Sequence, residues 1–183
     1  MVLKRHSSVV AQIPLSADGH LLRDSSTGEF EYIHADQLEV SPDGKWFYYQ
    51  PGSGNMSRIE TKYLHKAQHD SSFVEKVPEH VEPFPRNSKY WRNCHRLQWH
   101  DGDRQEIRIL APDGGNTLLV RDRRLLWIDA MWLDHQQRLW MCASQLNHGD
   151  RFVQPGNKSI TIHKPIYVYT IDVGESPSAL DHA

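Results

Sequence analysis

Residues 38–50, Leu-Glu-Val-Ser-Pro-Asp-Gly-Lys-Trp-Phe-Tyr-Tyr-Gln, constrain the fold more than any other stretch. Leu38 and Val40 alternate with polar neighbours, Pro42-Asp43-Gly44 turns the chain, and the aromatic run Trp46 to Tyr49 carries it back. Proline presets φ for a turn, and glycine supplies a positive φ where a return strand needs one. The segment therefore predicts a β-hairpin. Ser57-Arg-Ile-Glu-Thr61 predicts a short third strand beside it.

The same layout returns later. Ala130-Met-Trp-Leu133, a polar turn Asp134-His-Gln-Gln137, and Arg138-Leu-Trp-Met-Cys-Ala143 predict a second hairpin, its turn 92 residues after the first when Asp43 and His135 are matched. Third-strand candidates recur at Glu106-Ile-Arg-Ile-Leu110 and in residues 165–172, and Thr117-Leu-Leu-Val120 predicts an outer strand. With Ile59, Ile109 and Val168 as equivalent points, the spacings are 50 and 59 residues. Several short strands per period of about 40 to 50 residues are the signature of propeller blades. The fold class expected is all-β: a β-propeller, about three four-stranded blades, an incomplete ring. Blades are expected around residues 10–62, 83–122 and 125–173, with a flexible tail at 174–183. Residues 62–81 carry weak helical spacing (Tyr63, Leu64, Ala67, Phe73, Val74, Val77), which predicts a connection with a short helix. Residues 83–103 contain aromatics without clean alternation or a central turn, so no hairpin is assigned there.

Composition narrows the function classes. Formal net charge is −2, with Lys and Arg interspersed among Asp and Glu. Without a basic stripe to neutralise phosphates, nucleic acid is not an expected partner. No apolar run approaches the roughly 20 residues of a membrane span, and the opening Met1-Val-Leu-Lys-Arg-His6 is too polar for a signal peptide. Cys94 and Cys142 allow either one bridge or two free thiols. The twelve histidines are scattered, with no HExxH and no Cys-x-x-Cys.

Several segments, in order, resemble the major royal jelly protein/yellow family. They are Ser41-Pro-Asp-Gly44 with Tyr48-Tyr-Gln-Pro51, Ala111-Pro-Asp-Gly114, Leu118-Leu-Val120, Asp122-Arg-Arg-Leu-Leu-Trp-Ile-Asp129, Ala143-Ser-Gln-Leu-Asn147 and Pro165-Ile-Tyr-Val-Tyr. The likeness covers residues 10–173 and is most specific from Leu125 to Asn147. Two departures stand out: Ile128 replaces the family's proline, and the family's Ser-Asp-Gly hairpin is missing from the 86–102 region. The resemblance implies a six-bladed ring related to gluconolactonase/regucalcin-like propellers, of which this chain is the C-terminal half. It also implies an extracellular protein, though no signal peptide is read in this chain.

In such propellers ligands bind in the central channel, at the ends of the innermost strands. The candidate channel-lining residues are Asp36 and Asp129, each just ahead of an inner strand, with Trp127, Gln145 and Asn147. A tryptophan and amides at a channel mouth suit a small aromatic or amine ligand through stacking, cation–π attraction and hydrogen bonds. Trp132 and Trp140 are expected to pack between blades. In lactonase-like relatives an acidic residue at the Asp129 position and an Asn or Asp at the Asp36 position help hold a divalent cation such as Ca²⁺. That cation wants six to eight oxygens, so two carboxylates would need further ligands. Three readings of function stand side by side. The first is a small-ligand binder; the second is a metal-dependent lactonase-like or dopachrome-tautomerase-like enzyme; the third is a truncated product without function. Open blade faces predict self-association. Asn55-Met-Ser57 and Asn157-Lys-Ser159 are glycosylation sequons, meaningful only in a secreted protein.

Overall fold

The structure, a computed structural model, describes residues 3–17, 19–52, 54–84, 98–101, 105–110, 115–152 and 161–177. Among them the chain is mostly β-sheet. Its strands are β1 (Ser16–Ala17), β2 (His20–Leu21), β3 (Ala35–Val40), β4 (Trp46–Pro51), β5 (Ser57–Glu60), β6 (Glu82–Pro83), β7 (Gln98–Asp101), β8 (Glu106–Leu110), β9 (Asn116–Arg121), β10 (Ile128–Leu133), β11 (Arg138–Ala143) and β12 (Tyr167–Asp172). They form four small sheets: β1-β2, β3-β4-β5-β6, β7-β8-β9 and β10-β11-β12. Between β5 and β6 run α1 (Thr61–His69) and a 3-10 helix, Ser71–His80. The expected helical connection is therefore present.

The chain divides into two compact units. The first comprises Met1–Pro14, Tyr32–Leu97 and Ile109–Thr117. The second comprises Leu15–Glu31, Gln98–Arg108 and Leu118–Ala183.

In the first unit, β3, β4 and β5 form an antiparallel meander, and β6 adds a fourth strand against β5 that sequence patterning did not reveal. Alternation along β4 sends its side chains to opposite faces. Phe47 and Tyr49 join Ile59, Ala67, Phe73 and Val77 in a core closed by α1 and the 3-10 helix. Tyr48 on the other face packs with Met56 and Phe84. Tyr48, Tyr49, Met56 and Ile59 are fully buried, each contributing on the order of 1.5–3 kcal/mol of burial energy.

In the second unit, β10, β11 and β12 form an antiparallel sheet. Cross-strand rows Met131, Met141, Tyr169 and Leu133, Leu139, Ile171 lie on one face. They pack with Ile107 and Leu125 as that unit's core. The rows Trp132, Trp140, Thr170 and Ala130, Cys142, Val168 lie on the other face. There Trp132 is 51% and Val168 55% exposed. Trp132 thus departs from the packed position expected of it, because its strand register turns it away from the Leu139–Met141 side. Trp140 is half-buried, and its indole N–H donates to Asp134. Cys142 carries a free thiol; Cys94 lies outside the described residues.

The two predicted hairpins share more than their pattern. Ala35 faces Pro51 and Gln37 faces Gln50, which leaves Asp36 as the extra residue of a β-bulge. Ile128 faces Ala143 and Ala130 faces Cys142, which leaves Asp129 in the same place. Both turns close alike. Ser41 N–H donates to the Trp46 carbonyl at 2.8 Å, while the Ser41 hydroxyl accepts from Trp46 N–H at 2.8 Å. Asp134 N–H donates to the Arg138 carbonyl, and the Asp134 carboxylate accepts from Arg138 N–H, both at 3.0 Å. Gly44 (φ 69°) and Gln137 (φ 63°) take the left-handed position in each.

Candidate functional site

β10 and β11 separate at the end where the candidate residues cluster. Beyond the Ile128–Ala143 pair the ladder continues outside the sheet. Ser144 N–H donates to the Trp127 carbonyl at 3.1 Å, and Gln145 N–H to the Leu126 carbonyl at 3.1 Å. Both strands leave through left-handed backbone at residues other than glycine: Trp127 at φ 51° and Gln145 at φ 56°. For an L-residue, and above all a bulky one, that region costs energy that surrounding contacts must offset. Those contacts are visible. The Ser144 hydroxyl donates to the Trp127 carbonyl at 2.9 Å, and the Trp127 ring lies 6.0 Å from that of Phe152 at a tilt of 34°.

Gln145 is buried, and its amide is engaged on both sides. It donates to the His163 carbonyl and accepts from His163 N–H, each at 3.0 Å. This clamps residues 161–163 against the mouth of the hairpin. Asn147 sits half-buried in a 3-10 turn, Leu146–His148, directly after Gln145. Four of the five candidates (Trp127, Asp129, Gln145 and Asn147) therefore belong to one strand mouth. Asp36 is exposed on β3 and belongs to the other unit.

The sequence did not point to Phe152, Ser144 or His163. Phe152 is a lone aromatic in a polar stretch, and the other two act through a hydroxyl and a backbone, which leave no pattern. In the same unit, Arg151 pairs with Glu31 at 2.8 Å. An open cleft of about 250 Å³ is lined by Asp24, Ser25, Ser26, Asp150 and Arg151. Hydrogen bonds from the Ser26 hydroxyl, Ser26 N–H and Thr27 N–H lower the Asp24 pKa.

Among the described residues, no group of three or more His, Cys, Asp or Glu side chains is placed to hold a metal ion. Fully buried Glu106 is held instead by two cations, Arg108 at 2.6 Å and Arg121 Nε at 2.7 Å. That arrangement satisfies the buried charge. Among the described residues, no helix is long and apolar enough to cross a membrane. The Asn55 sequon lies on an exposed loop position, while Asn157 is outside the described residues.

The fold and site together define a chain of small β-sheets with a strained, aromatic-lined strand mouth. Comparison with family models, with curated proteins and with solved structures found no match.

Proposed function

We propose that this chain is the C-terminal half of a royal-jelly/yellow-type β-propeller that binds a small aromatic or amine ligand at the mouth of the β10–β11 hairpin. One observation carries the reading: Trp127, opposite Ser144, and Gln145, opposite Leu126, both hold left-handed backbone just beyond a sheet end marked by the Asp129 bulge. Strained backbone of this kind clusters at ligand clamps, where neighbouring contacts over-determine it. The Trp127 ring, tilted over Phe152, offers a face for stacking and cation–π attraction. Asp129, a channel-lining candidate by the resemblance whose side chain lies outside the described residues, is the carboxylate assigned to an amine. Gln145 keeps the positioning role its bonds to His163 give it, and Asn147 supplies a polar edge. The matching bulge at Asp36 supports reading the two sheets as blades of one repeat, with Asp36 as the corresponding channel residue.

Calorimetric titration of phenethylamine into the wild-type protein tests this. Binding is expected in the micromolar to millimolar range, weakened at least tenfold by Trp127→Ala and by Asp129→Ala, with Trp132→Ala unaffected. Equal affinity in all four proteins would sink the assignment. A parallel titration with Ca²⁺ addresses the lactonase-like alternative: heat that disappears in Asp129→Ala would favour it.

A further inference from the structure

Residues 3–11 form successive turns without a strand or helix. The His6 carbonyl accepts from Val9 N–H at 3.0 Å and Val10 N–H at 3.2 Å. Leu3 and Val9 pack against the Tyr49–Ile59 core, Ala11 is buried, and the Val9 carbonyl accepts from Ala35 N–H at 2.7 Å, where β3 begins.

Two imidazoles fasten this segment. His6 Nδ1 accepts from Ser8 N–H at 3.2 Å and lies 2.7 Å from the Ser8 hydroxyl. His34 Nδ1 accepts from Ala11 N–H at 3.3 Å. A backbone N–H can only donate, so both Nδ1 atoms must present a lone pair. Both rings are then neutral, with the hydrogen on Nε2. The Ser8 hydroxyl consequently donates to His6 and accepts from the Tyr49 hydroxyl at 2.8 Å. Tyr49 is buried, which pushes its phenol pKa up and keeps it a donor; the Ser57 hydroxyl bonds it in turn. All the donors point one way, and His6 is the terminal acceptor.

We propose that residues 3–11 are a strap released by acid. Protonation of an imidazole places a hydrogen on Nδ1, so an acceptor becomes a donor aimed at a backbone donor. At His6 the Ser8 N–H bond is lost and the hydroxyl contact must reverse, Ser8 Oγ now accepting from Nδ1–H and giving up the Tyr49 O–H donor arrangement; at His34 the Ala11 N–H bond is lost. The segment then lifts from the Tyr49 side of the core. Lys4 and Arg5 flank His6 on the strap, the Tyr49 phenol faces it through Ser8, and Asp36 lies two residues from His34. Among the described residues neither ring takes part in an ion pair. Histidine is the side chain whose charge changes between about pH 5 and 8.

Hydrogen–deuterium exchange of the full chain at pH 7.5 and 5.5, corrected for intrinsic exchange rates, provides the test. Peptides covering residues 3–11 are expected to lose about tenfold in protection at the lower pH, while β10–β11 peptides keep theirs. His6→Asn combined with His34→Asn retains an acceptor that does not titrate and is expected to abolish the step. Unchanged wild-type protection across this range overturns the proposal, as does a step that survives in the double variant. The wild-type profile decides alone if that variant does not fold.

Discussion

Gly44 and Gln137 hold the same left-handed position in two hairpins, yet only one is the residue that conformation favours. Glycine reaches φ near 65° without penalty, whereas an L-residue with a Cβ does not. Gln137→Gly is therefore expected to raise stability by about 0.5–1 kcal/mol, the larger unfolded-state entropy of glycine limiting the gain. Urea unfolding at neutral pH measures it, and an unchanged or lowered midpoint would contradict the argument. The position was half-legible in the sequence. Pro42-Asp43-Gly44 announces its turn through backbone chemistry, while Asp134-His-Gln-Gln137 announces only polarity. Trp127 and Gln145 were legible as candidates because they stand in the stretch that carries the resemblance. Their left-handed backbone was not, because no glycine or asparagine marks it and the contacts that offset its cost come from Ser144 and His163.

At the level of the element, each hairpin is locked by the first residue of its turn, Ser41 in one and Asp134 in the other. Asp134 Oδ1 accepts from Gln136 N–H and Arg138 N–H, and Oδ2 accepts from the Trp140 indole and Arg138 Nε. Its burial opposes ionisation, but these four donors outweigh that and hold its pKa down to about 2. A carboxylate with a depressed folded pKa contributes stability above its unfolded value, near 3.9. It loses that contribution as pH falls toward 2. Asp134→Asn should unfold more readily than wild type at pH 7, with the difference shrinking between about pH 4 and pH 2. Urea midpoints across that range report it, and a constant difference would refute the linkage. Asp122, also held to about 2 by Arg124, leaves a common acid slope in both proteins. The hairpins, the third strands and the helical connection were readable because alternation and turn residues are local. The two-residue strand β6 was not, since its pairing with β5 is made across α1 and the 3-10 helix.

At the scale of the whole molecule, the face of β10-β11-β12 that carries Trp132 and Val168 is half-exposed among the described residues, and Tyr167, on the opposite face of β12, is 51% exposed. Apolar sheet faces and unpaired strand edges favour association. Size-exclusion chromatography with light scattering should show dimers or larger species whose share rises with concentration, and Trp132→Glu should shift them toward monomer. A concentration-independent monomer would remove the self-association reading. The order in which the segments are laid down adds a further consequence. The second unit draws on Leu15–Glu31, on Gln98–Arg108 and on everything after Leu118, whereas the first is complete once Thr117 has been made. Leu15–Glu31 is made before the first unit's Tyr32–Leu97, and it must wait for partners such as Arg151, whose carbonyl accepts from Ser25 N–H. The first unit can close around its aromatic core during that interval. Synthesis itself thus sets an order of assembly, with the strand mouth carrying Trp127 and Gln145 formed last.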